Sequence, residues 1–303
     1  MTESSVKDIK RFKISGKGSA VIRAVFAALI FSSLQLFSQY LFYMFGLDDT
    51  TYEGLFNAFY GVFVSFCLCI YIWIIHKPGE EPMVRKSRMI APQWIMVVII
   101  GLGMVAIVGV YFSIAHYIAD LVPKVQESMT DYSDNIGRDL PTVENIVPAW
   151  DHILYLISIS LFIPVTEEIA FRGIVQGELS KQFSPVASIL ISGVIFGALH
   201  FQPIQIGYAV LCGIAIGAVY YLCDSIWATI TIHSIFNLLG SGISQFMDSG
   251  VIPGLTEAIK DKISSGIFYA EYLMMLPAIT CFIMLYIIHK GGMNKFSKEV
   301  VNE

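Results

Sequence analysis

The sequence predicts an all-α, polytopic membrane protein with about eight transmembrane helices around a buried cavity. Composition sets the class: 55% of the 303 residues are hydrophobic and only 14% are charged, and the mean hydropathy is +0.67. No soluble core needs that much apolar surface. Spacing agrees, because the apolar residues fall in runs close to the roughly 20 that cross hydrocarbon as a helix. The third observation is an interruption. Glu167, Glu168 and Arg172 stand inside one such run, and an ionisable residue within a span is costly and marks a functional site by default.

Residues 1–18 form a basic arm with Lys7, Lys10, Arg11, Lys13 and Lys17. The apolar run after it is too long for a cleavable signal and lacks a small-residue cleavage pattern. Spans are expected at 20–46, 54–75 and 93–120, then from Trp150 to about Gln182, and at 185–201, 204–222, 226–246 and 267–289. The fifth is the shortest. The connection 121–148, with Glu127, Asp131, Asp134, Asp139 and Glu144, fits no calcium-loop spacing and reads as a solvated acidic loop. Residues 254–264 put Leu255, Ile259 and Ile263 on one face, as a short surface helix or an unstructured loop. Three parts result: 1–149 with the arm and three spans, 150–245 with the polar residues, and 246–303 with an outer loop, the last span and a tail.

Lys and Arg residues set the expected orientation. Fourteen fall on the side of the arm, four on the other, and Arg172 within a span, so both termini are expected in the cytoplasm. The five cysteines lie in or at the ends of apolar runs and read as small buried hydrophobes. No basic arm with interleaved aromatics suggests nucleic acid. Glycines four apart, at 173/177, 193/197 and 213/217, mark close helix approaches in three consecutive spans.

Of six histidines, His76, His116, His152 and His289 are expected at interfaces, whereas His200 and His233 fall where helices should be buried. The fourth and fifth spans must form a hairpin near Phe183-Ser184. Glu167 and His200 each lie about 16 residues from that turn, roughly 25 Å at 1.5 Å per residue. His233 reaches the same depth from the seventh span. The expected site is therefore a cavity within the membrane, reached from the cytoplasm. Glu167 and Glu168 point about 100° apart on a helix, so one group should not hold both. Glu168 and Arg172 form an i,i+4 pair, which leaves Glu167 to face the histidines. His233 and Asn237 share a face and suit a donor pair for a developing oxyanion.

Glu167-Glu168-x-x-x-Arg172, Phe196-x-x-x-His200 and His233-x-x-x-Asn237, in that order, resemble the three signature motifs of the CAAX-protease and bacteriocin-processing (CPBP, or Abi) family of intramembrane endopeptidases. The similarity covers about 150–245. It implies an eight-helix fold with a cytoplasm-facing catalytic cavity. Members cleave peptide bonds after a prenylated cysteine, or in other peptides and membrane proteins in bacteria.

On that resemblance the expected chemistry is amide hydrolysis by water. Glu167 is the general base, His200 holds the water with it, and His233 and Asn237 stabilise the oxyanion. Glu168, Arg172 and Phe196 are supporting residues. No cofactor is certain. Zinc on Glu167, His200 and His233 is the open alternative, but it would leave the site without a base, since Glu168 faces Arg172. The expected partners are the bilayer and a membrane-associated peptide or protein substrate, lipidated or not, with no nucleic acid. Two other classes are a catalytically silent scaffold or immunity protein, and a proton-coupled transporter. The latter calls for broken helices and an inverted repeat, neither of which is visible in the sequence.

Overall fold

The computed structural model describes residues 16–49, 51–76, 79, 82–136 and 147–292. The basic residues before Gly16, Lys77, Arg138, Asp139, Glu144, Lys295 and Lys298 lie outside them. Among the described residues nine helices follow one another: α1 Gly16–Met44, α2 Glu53–Ile75, α3 Ala91–Ala119, α4 Pro123–Ile136, α5 Ala149–Ser180, α6 Pro185–Ala198, α7 Pro203–Cys223, α8 Ile226–Asp248 and α9 Glu257–Lys290. All except α4 and α6 are long and apolar enough to cross a membrane, seven in number among the described residues. The chain is an all-α polytopic membrane protein. The expected eighth span, α6, has 14 residues and extends only about 21 Å, against roughly 30 Å of hydrocarbon.

Two expectations between the spans change. The supposed acidic loop contains α4, because Val125, Met129 and Tyr132 recur at helical spacing and cover Ala115, Ala119 and Ile204. The supposed surface helix at 254–264 is instead the first two turns of α9, which runs unbroken for 34 residues from its N-cap Thr256. His152, expected at an interface, is buried. Its neighbour Asp151 explains the placement. The Asp151 carboxylate accepts the backbone N–H groups of Gly54 and Leu55, both at 2.9 Å, and so supplies the cap that the start of α2 lacks from its own side chains.

The two largest apolar clusters of the interior lie side by side in the two halves of the bundle. Phe31, Tyr60, Leu68, Phe171, Ile174 and Phe196 unite α1, α2, α5 and α6. Val97, Ile100, Ile216, Val219, Ile232 and Leu285 unite α3, α7, α8 and α9. The α6–α7 hairpin joins the two halves at close range. A Cβ at Gly213 would lie 3.1 Å from the Gly193 Cα, and one at Gly193 would lie 2.9 Å from the Ile214 nitrogen. That bears out the close approach expected of these glycines. The 173/177 pair works differently, because its neighbours are Val84 and Met83 of the α2–α3 connection. The turns on either side of α7 are tight enough to need left-handed residues, Phe201 (φ 60°) and Asp224 (φ 52°). Aspartate tolerates that conformation, while a phenylalanine there is strained.

Because the obstacle at Gly193 is backbone, it cannot swing aside. Gly193→Val is expected to lower stability by about 1–3 kcal/mol, measurable as a fall in Tm of the purified protein in detergent.

Candidate active site

α5 is interrupted twice by π-helical turns, at Ser158–Phe162 and Ile169–Val175, and α8 once, at Leu238–Gly242. The first interruption follows from sequence. Pro164 has no N–H, and its ring crowds the preceding turn; the helix widens so that the Ile163 N–H bonds the Ser158 carbonyl. The Ile159 carbonyl is then left without the N–H that an α-helical Ile163 or a π-helical residue 164 would supply. Asn237 takes it, donating from Nδ2 at 3.0 Å. A proline on one helix thereby orients the amide of another.

One and a half turns further along α5, Glu167 and Glu168 reach the seam between the two clusters. The side chains of Glu168 and Arg172 have no exposure, and Arg172 Nε lies 3.0 Å from Glu168 Oε2. The guanidinium also stacks over Phe196, 5.2 Å from the ring centroid, a favourable cation–π arrangement. His233 donates from Nδ1 to Glu168 Oε1 at 2.9 Å. Its other nitrogen, Nε2, lies 3.6 Å from Glu167 Oε2, beyond hydrogen-bond length.

Sequence reasoning about faces needs correcting here. Glu167 and Glu168 do diverge, yet one group stands against both. An imidazole carries nitrogens on two edges, so His233 meets the two diverging carboxylates at once.

His200 lies just past the end of α6, half-buried, with Nδ1 donating to the Phe196 carbonyl at 3.0 Å. That bond leaves Nε2 as the acceptor. The ring also packs edge-on against Phe196 at 4.9 Å, so Phe196 supports both Arg172 and His200.

Glu167, Phe196, His200, His233 and Asn237 line one cavity of about 560 Å³. Glu168 and Arg172 stand behind its wall, fully buried. A larger apolar groove of about 690 Å³ runs along the other side of α5, between Trp73, Val165 and Trp227, and takes in none of these residues. The catalytic-side cavity extends past Gly240, Gln245 and Glu271 to Tyr132 of α4. It therefore extends away from the α5–α6 hairpin tip, not toward it as access from the cytoplasm required. The physical reason is packing: Phe171, Arg172, Ile174 and Phe196, all nearly inaccessible, fill the hairpin side.

The zinc alternative fits poorly. Among the described residues no three His, Cys, Asp or Glu side chains are grouped as metal ligands would be. No step below is routed through a metal.

Residues 148–239 match the family described as Rce1-like, Type II CAAX prenyl endopeptidase Rce1-like. The match contains every motif residue from Glu167 to Asn237. This stretch is similar to the CAAX-protease-like domains of the CPBP family of intramembrane proteases, and it is carried by an integral multi-pass membrane protein. No curated protein and no solved structure matches the chain.

Sequence reasoning missed three features: the role of Pro164, the Asp151 cap and Glu271 in the cavity wall. Pro164, three residues before the glutamate pair, was the legible signal for the first. The partner of the Asp151 cap is 97 residues away in sequence, beyond any local pattern.

Removing one member of a buried ion pair leaves the other uncompensated and costs about 3–5 kcal/mol. Arg172→Met is expected to destabilise by that order in thermal or denaturant unfolding. Glu167→Gln, at a cavity-lining group outside the pair whose side chain is 17% exposed, is expected to stay within about 1 kcal/mol of wild type.

Proposed function

We propose that the protein is an intramembrane endopeptidase in which Glu167 is the general base for water. The observation that carries the reading is the combination of the family match with one cavity lined by Glu167, His200, His233 and Asn237. Each side chain has a separate task. Glu167 and the free Nε2 of His200 hold a water molecule, and Glu167 takes its proton as the oxygen attacks the peptide carbonyl carbon. The oxyanion is stabilised by His233 Nε2–H and by the Nδ2–H of Asn237 not spent on Ile159. The C–N bond then breaks, and Glu167 returns the proton to the leaving amine.

Arg172 offsets Glu168, and the His233 ring stands between the two glutamates. Glu168 holds the ring by Nδ1, which keeps Nε2 directed at the cavity. The reading favours a metal-independent glutamate peptidase over a zinc enzyme, because Glu168 is committed to Arg172 and His233 and no second carboxylate remains near the histidines to act as base. With both termini cytoplasmic, as the Lys/Arg asymmetry expects, the cavity extends into the outer half of the membrane. The substrate is then a membrane-associated peptide or protein that presents its cleavage site from that half, lipidated or not.

Comparative peptidomics of cells carrying wild-type or Glu167→Ala protein identifies a substrate. With that substrate and purified protein, Glu167→Gln and His200→Ala are expected to abolish cleavage while Tm is retained, and wild-type cleavage is expected to survive a chelator. Turnover in either variant, or loss of wild-type activity with stoichiometric zinc, contradicts the reading.

Pro164→Ala restores an N–H that competes with Asn237 for the Ile159 carbonyl. It is expected to leave Tm unchanged or higher, and to lower kcat by about tenfold or more with little change in KM, since one oxyanion donor contributes on the order of 10²–10³.

A further inference from the structure

Glu271 is the second carboxyl group lining the cavity, and the mechanism above does not use it. It lies on α9, is 7% exposed, and faces the same cavity as Glu167. Its Oε1 is buried without a hydrogen-bond partner. A carboxyl left so within a span is expensive and is not explained by packing. Glu168, in the same protein, shows how such a group is normally satisfied, by a guanidinium and an imidazole.

Among the described residues that line the cavity there is no Lys or Arg to serve as such a partner. The other polar members of the lining include the neutral Gln205, Ser244, Gln245 and Tyr272, and none of them hydrogen-bonds the Glu271 Oε1. A cation that enters the cavity from outside would satisfy Glu271 in both charge and hydrogen bonding.

We infer that Glu271 is a specificity subsite for a cationic group of the peptide substrate, an arginine or lysine side chain. The inference rests on the endopeptidase reading for what enters the cavity. Helix packing sets its distance from the scissile bond. Gly101 of α3 meets Ile235, two residues past His233, while Gly103 meets Met274 and Ala278 of the antiparallel α9. Glu271 is therefore level with about residue 108 of α3. Counting along the helices from His233 gives about 14 Å at 1.5 Å per residue. An extended peptide spans that in roughly four residues. The basic residue is expected about four positions from the cleaved bond, on whichever side of it runs toward α4.

The test uses apolar dodecapeptides in which a single arginine is moved along the sequence, each paired with a citrulline peptide that keeps the shape and removes the charge. Binding is measured on full-length Glu167→Gln protein in nanodiscs, which does not require turnover, and cleavage is measured on wild type. One arginine position is expected to bind at least tenfold tighter than its citrulline twin. In the Glu167→Gln/Glu271→Gln protein that ratio is expected to fall to near one. In the Glu167→Gln/Glu271→Lys protein the preference is expected to move to a glutamate at the same position, an outcome that loss of folding does not produce. Equal binding of every arginine and citrulline pair to the Glu167→Gln protein overturns the subsite. A charge preference without cleavage by wild type leaves the subsite standing and overturns the peptidase reading instead.

Discussion

Glu168 and Arg172 have no solvent-exposed side-chain surface, and neither could stay charged there alone. The rest of the site depends on how that pair is completed. Arg172 pairs with the Glu168 carboxylate and rests on Phe196; His233 bonds its Oε1 from the far side of the seam. A bond made for neutralisation thus also ties α5, from one apolar cluster, to α8, from the other. The same bond fixes which imidazole nitrogen is spent and which is free. The two carboxylates are consecutive in sequence, yet this geometry separates their environments: one is sealed in the wall, the other lines the cavity and keeps some exposure.

A second constraint acts alongside it. Pro164 cannot donate, α5 widens, and the carbonyl of Ile159 passes to Asn237. Helix irregularity close to polar residues is common at functional sites in membranes, where freed backbone groups must find a partner within the protein. In this protein the partner is itself a motif residue. Local backbone geometry and site geometry are therefore one problem, and the position of Asn237 follows from a residue type on another helix.

Much of this was legible in the sequence, and the parts that were not have a common cause. Hydropathy placed the long spans, and helical spacing separated Glu167 from Glu168 and paired Glu168 with Arg172, because these properties depend on residues within one or two turns. Spacing failed where the partner is distant. It could not show that one imidazole reaches both glutamates, that Asp151 caps α2, or that α9 brings Glu271 to the wall. The α4 helix was missed for a different reason: its acidic residues masked the Val125, Met129 and Tyr132 stripe that packs it down. Depth along the helices is readable from sequence, but which end of the cavity the aromatic side chains fill is not.

The account stands on the division of labour between the two glutamates, and a structure with a bound tetrahedral mimic addresses it most directly. A phosphonamidate analogue of the cleaved peptide should place one phosphoryl oxygen beside Glu167 and His200, where the attacking water is assigned. The other should accept from His233 Nε2 and Asn237 Nδ2, with Glu168 still bonded to Arg172 and His233 Nδ1. A phosphoryl oxygen bonded to Glu168 instead, or a metal ion between the mimic and Glu167, His200 and His233, would contradict the account.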